Sequence, residues 1–449
     1  MKQTAVIILF AISHGMAFSQ GPAITSWLQN TTLMGSHYVS GNSTAIQDNV
    51  PVNTQLVQYS ASWVYVTTNG IPSYPTGPFL DGNPSQATDQ NAIFKIPLNP
   101  TQNTGTLTAT NAGNIGVFIN GVALFDYRDG VSWKNSSNAL AGGPLGGMGD
   151  GVWNRDAVVG ERGGFDCAKG HPAMGNYHHH QNPSAFDLDL QLVSTVCNLY
   201  DSDGLYAIDS TVHSPLIGFA YDGFPIYGAY GFKNADGTGG IVRMKSSFTL
   251  RNITARNTYY DGTSVTSGPA VSATYPLGYF REDYEFTAPV SADYLDIHNG
   301  RFCITPEYPA GIYCYFATVD ENWNSAYPYV VGPTFYGNKV VTKVTSVGET
   351  TTTYTPTTNG LTQSELENLN IDLFPNPATD LVTLQVNGLV KENLTVELAD
   401  MTGRIVLEKV IPSGSTIAFF ETQTLNAGEY VVRIKSMGNA ITRKLLLVK

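Results

Sequence analysis

Charge is scarce in this chain. Asp, Glu, Lys and Arg make up 13% of its 449 residues, and the 24 basic residues are outnumbered by 36 acidic ones. The net charge of −12 repels phosphate backbones, and no interleaved basic and aromatic stripe offsets it, so no nucleic-acid partner is expected. Long apolar runs are missing as well. The best candidate, Ala5–Ile12, falls far short of the ~20 residues a bilayer span needs, so no transmembrane anchor is expected. Helical periodicity beyond about two turns is absent from the body of the chain. So are a Gly-x-Ser-x-Gly elbow, a His-Glu-x-x-His helix and the Lys-Ser/Thr ending that would make the Gly-rich stretch 141–151 a phosphate cradle. These absences argue against a serine hydrolase of that type, a zincin and a P-loop enzyme.

What the chain has in quantity is Gly (45), Tyr (25) and Pro (24). That mixture favours short strands joined by long Gly/Pro-rich loops, and the fold class expected is mainly β. Strand candidates include Ser62–Val66, Gly116–Ile119 and Val122–Phe125. At the N-terminus, Lys2, the apolar run and the small residues Ala17 and Ser19 read as a cleavable signal peptide over 1–19. The expected division is then a β-rich body over 20–345, a Thr-rich linker over 346–365 and a small antiparallel β-sandwich over 366–449. The sandwich is read from alternating runs at 381–386, 394–398, 428–434 and 443–449.

Four of the eight histidines lie within ten residues, at His171, His178, His179 and His180. Imidazole is the commonest transition-metal ligand and the usual proton shuttle near neutral pH. On an extended segment, His178 and His180 project from one face and Tyr177 and His179 from the other. An i, i+2 pair can chelate one metal if a third ligand arrives. His171 can supply it by a turn through Pro172 and Gly175, and His213 is the other candidate. Nitrogen donors without thiolate suit copper, zinc or iron. Asp222 and Glu307 are the candidate acid–base partners, with Arg301 beside Asp296 as an alternative ion pair.

The cysteines number four, Cys167, Cys197, Cys303 and Cys314, with no C-x-x-C spacing. In an exported protein an even count points to disulfides. Of three connectivities, the local pairing 167–197 and 303–314 is expected. The first bridge would enclose the histidine run and contribute about 3 kcal/mol through loop closure.

Two resemblances rest on these residues. Phe374-Pro-Asn-Pro377, Met401-Thr-Gly-Arg404, Gly428-Glu-Tyr430 and the basic-apolar terminus make residues 371–449 resemble the sorting domain of the bacterial type IX secretion system. That resemblance implies handling by the type IX machinery, export across the outer membrane, cleavage of the tail, and a body anchored at the cell surface or released. The stretches Cys167–His180, His213–Gly228, Leu295–Phe302 and Thr305–Pro309 resemble the YHYH domain of bacterial secreted proteins over roughly 60–332. His179 departs from that motif, standing where the family has its second tyrosine. It is expected to be an outward ligand or a surface change. The resemblance implies no particular reaction. A metal-binding protein or metalloenzyme is expected first. A metal-free carbohydrate- or surface-interaction module with structural histidines is the alternative, and metal-independent acid–base catalysis the third.

Overall fold

A computed structural model describes residues 20–80, 85–184, 204–206, 208–340, 343–356, 363–387, 390, 392–411, 413, 415, 417–436 and 439–449. The expected signal segment and Cys197 lie outside these residues.

Strand-forming sequence dominates, and most strands are short. Ala92–Pro97 shows the alternation that drives one sheet: Ala92, Phe94 and Ile96 are buried while Ile93 and Lys95 are only half-buried. It pairs antiparallel with Trp63–Thr68, which pairs with Thr54–Tyr59. Lys343–Val344 and Thr352–Tyr354 complete this five-stranded sheet at its two edges. The second sheet has eight strands. Across it run Gly170–Ala173, Asn176–His179, Ala123–Phe125, Asn114–Phe118, Leu216–Ala220, Pro225–Tyr227, Ile312–Phe316 and Gly300–Cys303. Leu216–Ala220 is buried at every position, as a strand covered on both faces must be. Val57, Val66 and Phe94 from the first sheet join Val117, Ile217, Phe219 and Ile226 from the second in one apolar core.

The C-terminal residues have their own core, including Val382, Leu384, Val396, Leu398, Val432, Ile434 and Leu445. A three-stranded sheet (Asn370–Phe374, Leu381–Asn387, Ile417–Glu421) and a four-stranded one (Ile405–Ile411, Leu394–Asp400, Gly428–Ser436, Asn439–Leu447) enclose it. The protein is mainly β, and its C-terminal sheets form the small sandwich expected. Among the described residues no helix is long and apolar enough to cross a membrane.

Two expectations change. Thr352–Tyr354, within the expected linker, is a strand that pairs with Thr54–Tyr59. β-Branched threonines suit that open edge, and Gln58 Nε2 donates to Thr351 Oγ1 at 3.1 Å just before it. The expected Cys303–Cys314 bridge is absent, and both cysteines are buried free thiols. The register sets Cys303 opposite Ile312 and Cys314 opposite Arg301, so the two are diagonal neighbours instead of a facing pair.

Candidate metal centre

The histidine run folds as a hairpin at one edge of the eight-stranded sheet. Register pairs Gly170 with His179, His171 with His178, Pro172 with Tyr177 and Ala173 with Asn176. The two-residue turn between them, Met174 (φ 50°) and Gly175 (φ 85°), has both residues left-handed, as the tightest hairpins require. Gly175 is needed for space as well, since a Cβ there would lie 2.1 Å from Thr88 Oγ1. His171 and His178 are thus directly opposite on one face, and His180 follows on the same face two residues later.

The ligand atoms of these three histidines all lie within 4.8 Å of one another. His178 Nε2 and His180 Nε2 are 3.1 Å apart. A fourth group, absent from the sequence reading, closes the cluster: Glu161 Oε2 is 3.1 Å from His180 Nε2 and 3.3 Å from His171 Nε2. Glu161 ends the helix Ala157–Glu161, whose N-cap Asp156 accepts from the backbone N–H of Val158 (2.9 Å) and Val159 (3.2 Å). Phe125 stacks on the His178 ring at 3.7 Å and Phe165 meets His171 edge-on at 4.9 Å, walling the cluster with apolar surface. The histidines are 6%, 1% and 3% exposed at 171, 178 and 180, so water does not compensate them.

The outer nitrogens decide what the inner ones are. His178 Nδ1 lies 2.9 Å from the Asn176 carbonyl and His180 Nδ1 2.5 Å from that of Asp126. A carbonyl can only accept, so both Nδ1 atoms carry a proton, and in the neutral imidazoles both Nε2 atoms turn lone pairs inward. Two lone pairs 3.1 Å apart, beside a carboxylate oxygen, repel unless a cation or a proton sits among them. His171 Nδ1 has no hydrogen-bond partner among the described residues, and its Nε2 faces Glu161. The charge balance follows the same geometry. Burial opposes ionisation of Glu161, yet hydrogen bonds from His171 and His180 hold its carboxyl far below the ordinary range. Burial, then the charges of His171 and His180, push the His178 imidazole well below its usual value. Burial also opposes the His180 cation, but the hydrogen bond and charge of Glu161 outweigh it and raise that group.

Other expected residues lie elsewhere. His213 donates from Nδ1 to the Ser214 carbonyl (2.7 Å) and packs between Tyr227 and Phe232, toward the opposite edge of the sheet. It is not part of the cluster. Asp222 is fully buried and accepts from Tyr315 Oη (2.6 Å) and the Gly337 N–H (2.7 Å). Glu307 accepts from Tyr227 Oη at 2.9 Å. Neither carboxylate orients a histidine. Arg301 donates to the carbonyls of Lys233, Ala292 and Phe232, while Asp296 accepts from Tyr313 Oη, so those two form no ion pair. His179 faces away from the cluster, as alternation requires, but it is neither an outward ligand nor a surface residue. It is 1% exposed, lies with Nε2 2.8 Å from Tyr74 Oη and meets Phe118 edge-on, and burial lowers its pKa to about 3.

A β-protein with a buried histidine hairpin at a sheet edge and a separate C-terminal sandwich is the class these features define. Residues 93–328, over half of the chain, match the family described as YHYH protein, and the chain belongs to that family. Residues 372–449 match the secretion system C-terminal sorting domain, which marks the chain for type IX export to the cell surface or the medium. No curated protein matches the chain. Among solved structures, a DUF3244-family protein with an immunoglobulin-like β-sandwich fold from Bacteroides vulgatus is 23% identical, with 20% of this chain and 90% of that one covered at a TM-score of 0.16.

Proposed function

We propose that the exported body binds one transition-metal ion through His171, His178, His180 and Glu161. The observation that carries this reading is the pair of facing Nε2 lone pairs, fixed by carbonyls behind them and flanked by a carboxylate. Three imidazoles and one carboxylate suit zinc or copper. Four protein donors saturate a tetrahedral ion, whereas hydrolytic zinc sites keep a position open for water. The set therefore favours holding a metal, for structure or sequestration, over turnover.

The other divisions belong to the same reading: a signal over 1–19, a body from residue 20, and a sorting domain over 366–449 that is removed after export. A Cys167–Cys197 bridge closing a loop around the hairpin belongs to the same reading, supported by the even cysteine count of an exported chain. Metal analysis of the purified body tests the proposal. Near one equivalent of zinc or copper is expected in the wild type, and its loss in the His178→Ala/His180→Ala double variant. Equal, sub-stoichiometric metal in both would overturn it.

A further inference from the structure

A cleft of about 370 Å³ is lined by none of the cluster's residues. Its lining combines two guanidinium groups, Arg128 and Arg281, with Glu282 and the rings of Tyr259, Tyr260 and Tyr327. Both arginines are anchored from behind. Arg128 holds the Asp126 carboxylate (Nε–Oδ1 2.5 Å, Nη2–Oδ2 3.1 Å) and the Thr110 carbonyl. Arg281 donates from Nη1 to Tyr127 Oη and pairs through Nε with Glu282, each at 2.9 Å. Among the described residues Nη1 of Arg128 and Nη2 of Arg281 donate no hydrogen bond, and the side chains are 18% and 26% exposed. Burial opposes the Arg128 cation, but the hydrogen bond and charge of Asp126 outweigh it, with Arg281 a minor opposing charge. The aromatic wall is rigid: Tyr284 and Tyr327 stack at 4.1 Å and 9°, while Tyr260 leaves 58% of its surface open.

We propose that this cleft binds a carboxylated saccharide. Planar guanidinium forks match a carboxylate geometrically, and flat tyrosine faces match the apolar face of a pyranose ring. Glu282 and the tyrosine hydroxyls supply partners for sugar hydroxyls. The volume lies at the small end of ligand sites, about 300–1,000 Å³, which suits one or two rings. The acidic chain disfavours phosphate polymers, whereas a single carboxylate can use the outer guanidinium nitrogens of Arg128 and Arg281, whose inner nitrogens pair with Asp126 and Glu282.

The test is calorimetric titration of the full chain, in the presence of chelator, with trigalacturonate, its methyl ester and neutral galactotriose. Chelation separates the result from the metal reading. Saturable binding of the acid is expected, at least about tenfold weaker for the ester and the neutral sugar. Tyr260→Ala and Arg281→Gln are each expected to weaken it by about tenfold or more. Tyr260 is exposed, so its variant should keep the wild-type melting temperature even if Arg281→Gln does not fold. No saturable binding of the acid, equal binding of acid and ester, or wild-type binding by Tyr260→Ala would overturn the proposal.

Discussion

Replacing Glu161 by Gln is the sharpest test of the proposed centre, because the sequence offers no motif for this ligand and the tertiary structure supplies it. The carboxylate oxygen lies 3.1 and 3.3 Å from two of the three histidine nitrogens, so it would share the coordination sphere of the proposed ion. Four-ligand zinc sites in small peptides are worth about 10–16 kcal/mol, or about 3 kcal/mol for each donor. That share corresponds to a loss on the order of 100-fold in zinc affinity. Glu161→Gln and His178→Ala should both show it in a competition titration against a chromophoric chelator. His213→Ala, remote from the cluster, should change affinity less than about threefold. Zinc at 100 times Kd should stabilise the wild type by about 2.7 kcal/mol. For a body of this size that is about 5 °C in melting temperature, reversed by EDTA. Wild-type affinity in Glu161→Gln would remove the carboxylate from the set. Wild-type affinity in His178→Ala, or an equal loss in His213→Ala, would refute the centre itself.

Three further outcomes follow from the same geometry. His179 has a folded pKa of about 3 against an ordinary 6.5, so between those values the unfolded chain binds a proton that the fold does not. Its contribution is intact above pH 6.5 and lost as pH falls, by about 3 kcal/mol at pH 4; urea titrations of metal-free protein should show His179→Gln less acid-sensitive, and parallel pH profiles would contradict this. Asp222→Ala strands the Tyr315 hydroxyl and the Gly337 N–H in a dry site, which should cost about 2–4 kcal/mol by denaturant melt while zinc affinity stays unchanged. A fall in zinc affinity there would restore Asp222 to the site. Cys303 and Cys314 should resist a thiol reagent in the native protein and yield two thiols in denaturant, whereas none would mean that the bridge forms.

Much of this protein is written locally. Alternation along Ala92–Pro97 and the tail strands declares sheets, because a period of two depends only on which side chains face a core. Alternation likewise separates His178 and His180 from His179, since neighbours on a strand cannot share a face. A turn back through Pro172 and Gly175 is legible as well, and it brings His171 opposite His178. The export signal of the tail is local too, carried by turn and strand motifs within eighty residues.

Contacts between distant segments are another matter. Glu161 precedes His171 by ten residues with no spacing rule between them, and the five-residue helix that carries it is too short to show a period. His171 is the nearer candidate in sequence and His213 the next, and the strand order places the first at the hairpin and the second toward the far edge of the sheet. His179 shows the same division: alternation turns it away from the cluster, but only packing against Tyr74 and Phe118 makes that opposite face core. Cys303 and Cys314 are near in sequence yet diagonal in register, a detail set by hydrogen-bond pairing. The sequence by itself determined a β-rich exported chain with two histidines on one face. Tertiary structure added Glu161 to the cluster and set His213 apart from it, because strand order and loop packing, not local spacing, set which side chains meet.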